Sequence, residues 1–261
     1  MPAQITELYR YPVKGLSAEK LERAALAVGE CLPHDRRFAI ALGTTEFDAA
    51  QPQWLTKTHF IMLMRDASLA RLATRFDPQT GVLTIVEAER VLLQAPLVEA
   101  KGQREIAAFF DDFLGGAVAG PLRVVEATGH AFGDARPKPN AATDKYVSLI
   151  NLASIRDLAA RLGRAVEPLR FRANVYFDGL PAWDEQGWTK PEREITVGSA
   201  RLRVIAPITR CAATEVNPAS AERDIKMVAE LMRHYGHNMM GIYAEVIGAG
   251  DIAVGHSLAV G

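Results

Sequence analysis

Residues 194 to 214 read EITVGSARLRVIAPITRCAAT, and this stretch is the most informative part of the chain about fold class. Glu194 to Val197 and Leu202 to Ala206 read as two short strands, and the second leads into a loop that carries Cys211. Short strands of this kind recur along the chain, whereas helical patterns are few. The pattern favours a strand-rich α+β fold with a barrel-like core over a doubly wound sheet.

The first half of the chain is rich in predicted strands. Ile5 to Pro12 alternates and then meets a turn, which predicts a strand that ends in a loop. Ala24 to Val28 and Arg37 to Leu42 are predicted to pair as a hairpin. Thr84 to Val86 and Val91 to Leu93 flank a charged tip, so they predict a second hairpin.

Three segments show helical spacing of apolar residues. The first is Gln103 to Leu114, and this helix is predicted to close the strand-rich first unit. The second follows Asn151, a predicted N-cap, and ends at Gly163. Ile225 to Tyr235 is the third. These helices are predicted to lie at the periphery of the strands.

The second half adds further strands, predicted at Val147 to Ile150, Asn174 to Phe177, Gly241 to Ile247 and Ile252 to Val260. Residues 117 to 139 are instead rich in Gly, Pro and polar side chains. Such a segment is either a plain linker between domains or a loop that covers a cofactor, and the two readings are equally supported.

Composition limits the possible functions. The 261 residues suffice for two modest domains, and a formal net charge of -1 provides no global basic field for nucleic acid or an anionic membrane. The N-terminal residues lack a secretory pattern, and no stretch has the length of a membrane span. With two cysteines far apart, the chain cannot build an iron–sulfur cluster or a CxxC pair, and a cytoplasmic location is expected.

Cys211 is the strongest candidate for chemistry. An unpaired cysteine is more often a small buried hydrophobic residue, so an inert role is the ordinary interpretation. Arg210 beside it would favour the thiolate, the form that attacks electrophiles and binds metals, and Thr209 and Thr214 add donors nearby. Cys31 lacks such neighbours and is expected to be structural.

Cationic residues lie at the predicted strand ends. Lys14, Arg36 and Arg172 would each ordinarily be solvated surface charges. Together with Arg210 they could instead converge on a phosphate, which guanidinium and ammonium groups bind strongly. The chain has neither a glycine-rich dinucleotide motif nor a P-loop, so a Rossmann cofactor or a nucleoside triphosphate is disfavoured.

The order of several short motifs resembles that of MOSC proteins that carry the MOSC N-terminal β-barrel domain. The motifs are Tyr11-Pro-Val-Lys-Gly15, Asp35-Arg36, Leu55-Thr-Lys-Thr58, Phe171-Arg-Ala-Asn174, Arg210-Cys211 with Thr214, and Asn217-Pro218. The resemblance spans nearly the whole chain. It implies an N-terminal β-barrel domain over residues 1–120 and a MOSC β-barrel domain with peripheral helices over residues 121–261.

The resemblance also implies a molybdenum–pterin cofactor between the two domains, with Cys211 as the metal ligand and catalytic residue. A soft thiolate suits such a metal. The residues expected to bind the cofactor are Lys14, Gly15, Arg36, Thr56, Thr58, Ser148, Asn151, Arg172, Asn174, Arg210 and Thr214. The sequence departs from the family pattern at Gly15, where relatives often have Ser or Cys, at His59, and at Asn217, where Asp is common.

By this resemblance the protein is an oxidoreductase that reduces an N-hydroxylated small-molecule substrate. Its electrons would come from a separate flavin or iron–sulfur partner, since the chain cannot hold its own cluster. Two alternatives remain. Cys211 could carry a persulfide and transfer sulfur, or the protein could carry the cofactor without turnover. No nucleic-acid or membrane partner is expected.

Overall fold

The computed structural model describes residues 2–116, 118, 120–136 and 143–261. The described residues form mostly strands, with three α-helices and several short 3-10 turns. The strands are β1 (Ala3–Arg10), β2 (Glu19–Leu21), β3 (Arg23–Leu26), β4 (Phe38–Ala41), β5 (Ala73–Phe76), β6 (Val82–Glu87), β7 (Arg90–Pro96), β8 (Arg123–Glu126), β9 (Val147–Asn151), β10 (Val175–Asp178), β11 (Glu194–Val197), β12 (Ala200–Thr209), β13 (Met239–Gly248), β14 (Gly250–Ala253) and β15 (Ser257–Val260). The helices are α1 (Ala100–Leu114), α2 (Leu152–Leu162) and α3 (Met227–Tyr235). The predicted strand-rich α+β class is confirmed.

One set of the described strands forms a closed barrel. Its seven strands follow the order β1, β10, β9, β13, β12, β11 and β15, and β15 pairs with β1 again. Only β9 and β10 run parallel; the other neighbours in the ring are antiparallel. Inward-facing side chains such as Ile5, Leu149, Phe177 and Val204 fill its interior, as the alternation of a small barrel requires.

The first half of the chain builds a second apolar core. The sheet β5-β6-β7, the pair β4-β8 and helix α1 surround this core. Phe38, Phe76, Ile85, Ile106 and Phe110 are completely or almost completely buried in it. The predicted hairpin at residues 84 to 93 is confirmed as β6-β7.

The other predicted hairpin in the first half is wrong. β3 pairs with β14 from the end of the chain, and β4 pairs with β8. The intervening segment is not a tight turn, because Leu32 is buried in the barrel core and the Asp35 carboxylate accepts a hydrogen bond from the backbone N–H of Tyr11 at 2.7 Å. Strand propensity was visible in the sequence, but the long-range partners were not.

The final predicted strand is divided. A turn at Gly255, with φ of 86°, separates β14 from β15, and the two strands join different sheets. The helix predicted from Ile225 begins at Met227 and ends before Gly236, as expected. Helix α2 begins after Asn151, whose side chain accepts a hydrogen bond from the N–H of Ala153, so this predicted N-cap is confirmed.

The sheets do not follow a simple division of the chain. Strand β1 belongs to the barrel, although it comes from the N-terminal end, and β8 pairs with β4 from the first half. The domain division at residues 120 and 121 stays a prediction.

Within the described part of the chain, no helix has the length and apolar character needed to cross a bilayer. The cytoplasmic location also stays a prediction.

Candidate functional site

A cavity of about 390 Å³ lies where the two halves of the chain meet. Its walls come from the end of β12 and the loop that follows, from the 170–172 segment, and from Arg36 and Lys57 of the first half. The polar and charged lining residues are Arg36, Lys57, Asp134, Arg136, Tyr146, Ser148, Arg170, Arg172, Thr209, Arg210, Cys211, Thr214 and Tyr243. The volume is within the range of small-molecule sites.

Cys211 lies in this cavity, half-buried, immediately after the strand exit at Thr209. It precedes a 3-10 turn, Ala212–Glu215. Both the backbone N–H and the hydroxyl of Thr214 donate to the carbonyl oxygen of Cys211, at 3.0 and 2.8 Å. Thr214 therefore holds the backbone that presents the thiol. The sequence had predicted Thr214 as a cofactor contact, whereas its hydroxyl is used within the loop.

Arg210 lines the cavity, but its guanidinium is committed to backbone carbonyls. It donates to the carbonyl oxygen of Met240 from Nε and Nη2, at 2.9 and 2.6 Å, and to that of Phe171 from Nη1 at 2.7 Å. Burial lowers the pKa of Arg210, and the nearby Tyr243 is the strongest of the groups that oppose this lowering. Arg210 thus anchors the cysteine loop to β13 and to the 170–172 segment.

Arg36 and Arg172 both contact one aromatic ring, that of Tyr11. The guanidinium carbons lie 4.7 Å and 4.4 Å from the ring centroid of Tyr11. Arg36 also forms an ion pair with Asp35 and donates to the carbonyl oxygen of Arg172 at 3.1 Å. Burial raises the pKa of Tyr11 to about 12 despite the opposing positive charges, so the ring is a neutral platform. The predicted convergence of these two arginines is present in the structure.

Lys14 lies behind the cavity wall. Its ammonium group is buried and donates to the carbonyl oxygens of Phe132 at 2.9 Å and Gly133 at 3.4 Å, and to the carboxylate of Asp134. Burial lowers the pKa of Lys14, and Asp134 opposes this effect. Lys14 is therefore connected to the cavity by its ion pair with Asp134, whose side chain lines the cavity.

Ser148, Asn151 and Asn174 have different positions. Ser148 lines the cavity, and its N–H and hydroxyl donate to Oδ1 of Asn174 at 3.1 and 2.8 Å. The Asn174 amide donates to the carbonyl oxygen of Tyr9, so it ties β9 to β1. Asn151 is completely buried, caps α2 and donates to the carbonyl oxygen of Pro181. The structure brings Ser148 to the site and gives the two asparagines internal hydrogen bonds.

Three further predicted cofactor contacts also lie outside the lining of the cavity. Thr56 and Thr58 are exposed and their hydroxyls bond to each other at 2.6 Å. Gly15 has φ of 84°, and a Cβ there would meet the carbonyl oxygen of Ile61 at 2.8 Å. The physical requirement at Gly15 is therefore a tight turn without a side chain. Lys57, between the two threonines, is the residue of this motif that reaches the cavity.

Sequence reasoning missed several lining residues. Lys57 lies within a motif that was quoted for the resemblance, and Tyr243 lies within the strand predicted at Gly241 to Ile247, although neither was singled out. Asp134 and Arg136 belong to the polar segment for which a cofactor-covering loop was one of two readings. Residues 117, 119 and 137 to 139 of that segment lie outside the described residues. The feature of the sequence that could have identified Asp134 and Arg136 is their position, as two charged residues inside a loop rich in Gly and Pro.

Cys31 differs clearly from Cys211. Its thiol donates to the carbonyl oxygen of Asp35 at 3.6 Å, and burial raises its pKa to about 12. These features fit the structural role that was expected. Among the described residues, no group of three or more His, Cys, Asp or Glu side chains is arranged to hold a metal ion.

Two family models match the chain. The MOSC N-terminal beta barrel domain matches residues 2–120, and the MOSC domain matches residues 127–259. The chain belongs to the MOSC family. The resemblance that the short motifs indicated is thereby confirmed, and the cavity that contains Cys211 lies where the two MOSC-family segments meet.

Curated MOSC relatives match at low identity. Mitochondrial amidoxime-reducing component 1 of Mus musculus is 31% identical over 87 residues, which cover 33% of this chain and 24% of the relative. Molybdenum cofactor sulfurase of Homo sapiens is 24% identical over 255 residues, which cover 85% of this chain and 28% of the relative. The chain spans about a quarter of the length of these relatives. A crystal structure of the YUAD protein from Bacillus subtilis matches with a TM-score of 0.46 and 14% identity, covering 100% of this chain and 96% of that chain.

Proposed function

We propose that this MOSC protein binds a molybdenum–pterin cofactor in the cavity that contains Cys211 and uses it as an oxidoreductase. The observation that carries the proposal is the presence of one accessible thiol and several cationic side chains in a single cavity between the two halves of the chain. A thiolate is a suitable ligand for a soft metal, and arginine and lysine side chains suit a phosphate.

The lining residues fit such a group. Lys57, Arg136 and Arg172 line the cavity and bring positive charge to it, which suits an anionic ligand. The chain offers the cavity one thiol, and a pterin dithiolene would supply further sulfur ligands to the metal. A cofactor with an anionic phosphate and its own sulfur ligands would therefore match the cationic side chains and the single thiol that the described lining residues provide.

The residues of this chain would divide the work of binding. Cys211 would hold the metal through its sulfur, on a loop whose backbone is fixed by Thr214 and Arg210. Arg36 and Arg172, which both line the cavity, would compensate the negative charge of the phosphate. When bound, the cofactor supplies two-electron oxygen-atom chemistry, and the protein controls its orientation and exposure.

We extend the proposal to the reaction class. The relatives named mitochondrial amidoxime-reducing component support the reduction of N-hydroxylated compounds, with the release of water. Two electrons and two protons are needed for each substrate. A separate flavin or iron–sulfur protein would donate the electrons, because two cysteines cannot form a four-thiolate cluster.

The reaction can be tested with protein produced in a host that makes the cofactor. Reduced methyl viologen serves as the electron donor and N-phenylhydroxylamine as the probe, and aniline is measured by chromatography against a protein-free blank. We expect turnover by the wild type and by Cys31→Ala, and background rates for Cys211→Ala. A Cys211→Ala rate equal to that of the wild type would refute the proposed role of this thiol in the reaction.

A second candidate function has one specific observation in its favour. The alignment with molybdenum cofactor sulfurase covers 85% of this chain, a larger share than the alignments with the amidoxime-reducing components. Cys211 could therefore carry a persulfide and pass its outer sulfur to an acceptor. Intact-mass measurement of metal-free protein distinguishes this function, because an added sulfur atom that cyanide removes, and that Cys211→Ala lacks, would favour it. Tight cofactor binding without either activity would instead favour a carrier.

A further inference from the structure

One loop supplies every hydrogen-bond acceptor that the Lys14 ammonium group has among the described residues. The carbonyl oxygens of Phe132 and Gly133 accept at 2.9 and 3.4 Å, and the Asp134 carboxylate accepts as well. Lys14 has only 5% of its surface exposed, so these three acceptors take the place of water around the ammonium group. The loop thus closes over a buried positive charge.

Asp134 is placed where an anionic ligand would be expected. It lines the cavity together with Arg36, Lys57 and Arg172, and its side chain is 54% exposed. Burial alone would raise the pKa of Asp134, but Lys14 first, and then Arg36 and Lys57, hold it well below its usual range. The carboxylate is therefore charged at neutral pH and balances the cations of the cavity.

We propose that Asp134 is a built-in counter-anion that a phosphate group displaces from Lys14, and that this exchange makes the cavity selective for phosphates over carboxylates. The inference deepens the proposed function, since it rests on the same cavity, but it concerns anion selection by the chain itself. The ligand class is a phosphate or diphosphate group, free or as a monoester.

The selectivity follows from competition between an attached and a free anion. Asp134 is tethered beside Lys14, so its effective concentration there is in the millimolar range or higher. A free carboxylate has the same charge and the same acceptor atoms, so it gains little by replacing Asp134. A phosphate brings additional negative charge and a third acceptor oxygen for Arg36 and Lys57. Only for a phosphate do the new contacts therefore stabilise the complex by more than the loss of the Lys14–Asp134 ion pair destabilises it.

Asp134→Asn tests the exchange, because it removes the charge and keeps the shape of a side chain that is largely exposed. Asp144→Asn is the matched control. Asp144 lies in the adjoining pocket, with its carboxylate 3.9 Å from His130, and its removal changes the net charge equally. Calorimetric titrations with inorganic pyrophosphate and with acetate would use the full chain from a host that lacks the cofactor, at constant ionic strength.

We expect the Asp134→Asn protein to bind pyrophosphate about tenfold more tightly than the wild type, a change of about 1.4 kcal/mol. It should also bind acetate, which the wild type should not, and Asp144→Asn should match the wild type. Equal or weaker pyrophosphate binding by Asp134→Asn, an equal gain in both variants, or no binding to any of the three proteins would overturn the proposal. These results do not depend on molybdenum, so they are distinct from a failure of the proposed enzyme function.

Discussion

Arg36 and Arg172 are joined directly, although 136 positions separate them in the sequence: Nη2 of Arg36 donates to the backbone carbonyl oxygen of Arg172 at 3.1 Å. Both residues have positive φ values, 50° and 53°. This region is uncommon for residues with a side chain, and such strain is concentrated at functional sites. The hydrogen bond fixes one strained arginine against the other, and both guanidinium groups contact the ring of Tyr11.

A pair of substitutions at Arg172 should separate stability from binding. Arg172→Gly and Arg172→Ala both remove the guanidinium, but only glycine relieves the left-handed backbone. We expect Arg172→Gly to be more stable than Arg172→Ala by about 1 kcal/mol in urea denaturation. Both variants should lose pyrophosphate binding. Equal stability of the two proteins would show that the backbone at this position is not strained.

The ion pairs of Asp224 should differ greatly in their importance. Arg170 has a side chain with 0% exposure and pairs with Asp224 at 2.7 Å, whereas Arg164 is 47% exposed and pairs with the same carboxylate at 2.8 Å. Arg170→Ala should lower the free energy of unfolding by about 3 to 5 kcal/mol, since it empties a completely buried position and removes the ion pairs with Glu167 and Asp224. Arg164→Ala should cost less than about 1 kcal/mol. Similar losses for both variants, measured by chemical denaturation, would contradict this assignment.

Glu185 should make stability depend on pH. Its carboxylate is completely buried and accepts hydrogen bonds from the Ser154 hydroxyl at 2.9 and 3.0 Å, and burial raises its pKa to about 7. The folded protein therefore holds a proton that the unfolded chain has lost above its ordinary pKa of 4.5. Stability should accordingly fall as pH rises from about 4.5 to about 7, and change little from this group above that range.

Glu185→Gln should remove that dependence, because glutamine stays neutral and can still accept from Ser154. At pH 8 the variant should be more stable than the wild type, by on the order of 3 kcal/mol. Denaturant titrations from pH 5 to pH 8 measure the effect, with the exposed Glu222→Gln as control. Parallel pH profiles for the wild type and Glu185→Gln would contradict the pKa assigned to this carboxyl.

An element of the fold could be predicted from the sequence when the residues that determine it lie close together along the chain. Caps and local periodicity are encoded within a few residues, so α2 between Asn151 and Gly163 and the β6-β7 hairpin were predictable. The partner of β3 lies more than two hundred residues away in β14, and no local pattern specifies it. The pairing of β1 with β10 and β15 that closes the barrel is equally distant.

The site was predictable by residue type more than by role. A cysteine after a predicted strand and arginines at predicted strand ends were recognisable in the sequence. The structure brings Cys211, Arg36 and Arg172 to one cavity. The direction of a side chain was not recognisable. Arg210 donates to the carbonyl oxygens of Met240 and Phe171, a commitment that depends on how distant segments pack.

The molybdenum content of purified protein tests the central claim most directly. Wild-type chain, Cys31→Ala and Cys211→Ala would be produced in parallel in a host that makes the cofactor, and metal and protein would be quantified in each. We expect about one molybdenum per chain for the wild type and for Cys31→Ala, and almost none for Cys211→Ala, because Cys211 supplies the one thiol that the described lining residues offer to the metal. A full equivalent of molybdenum in folded Cys211→Ala, or none in the wild type, would contradict it.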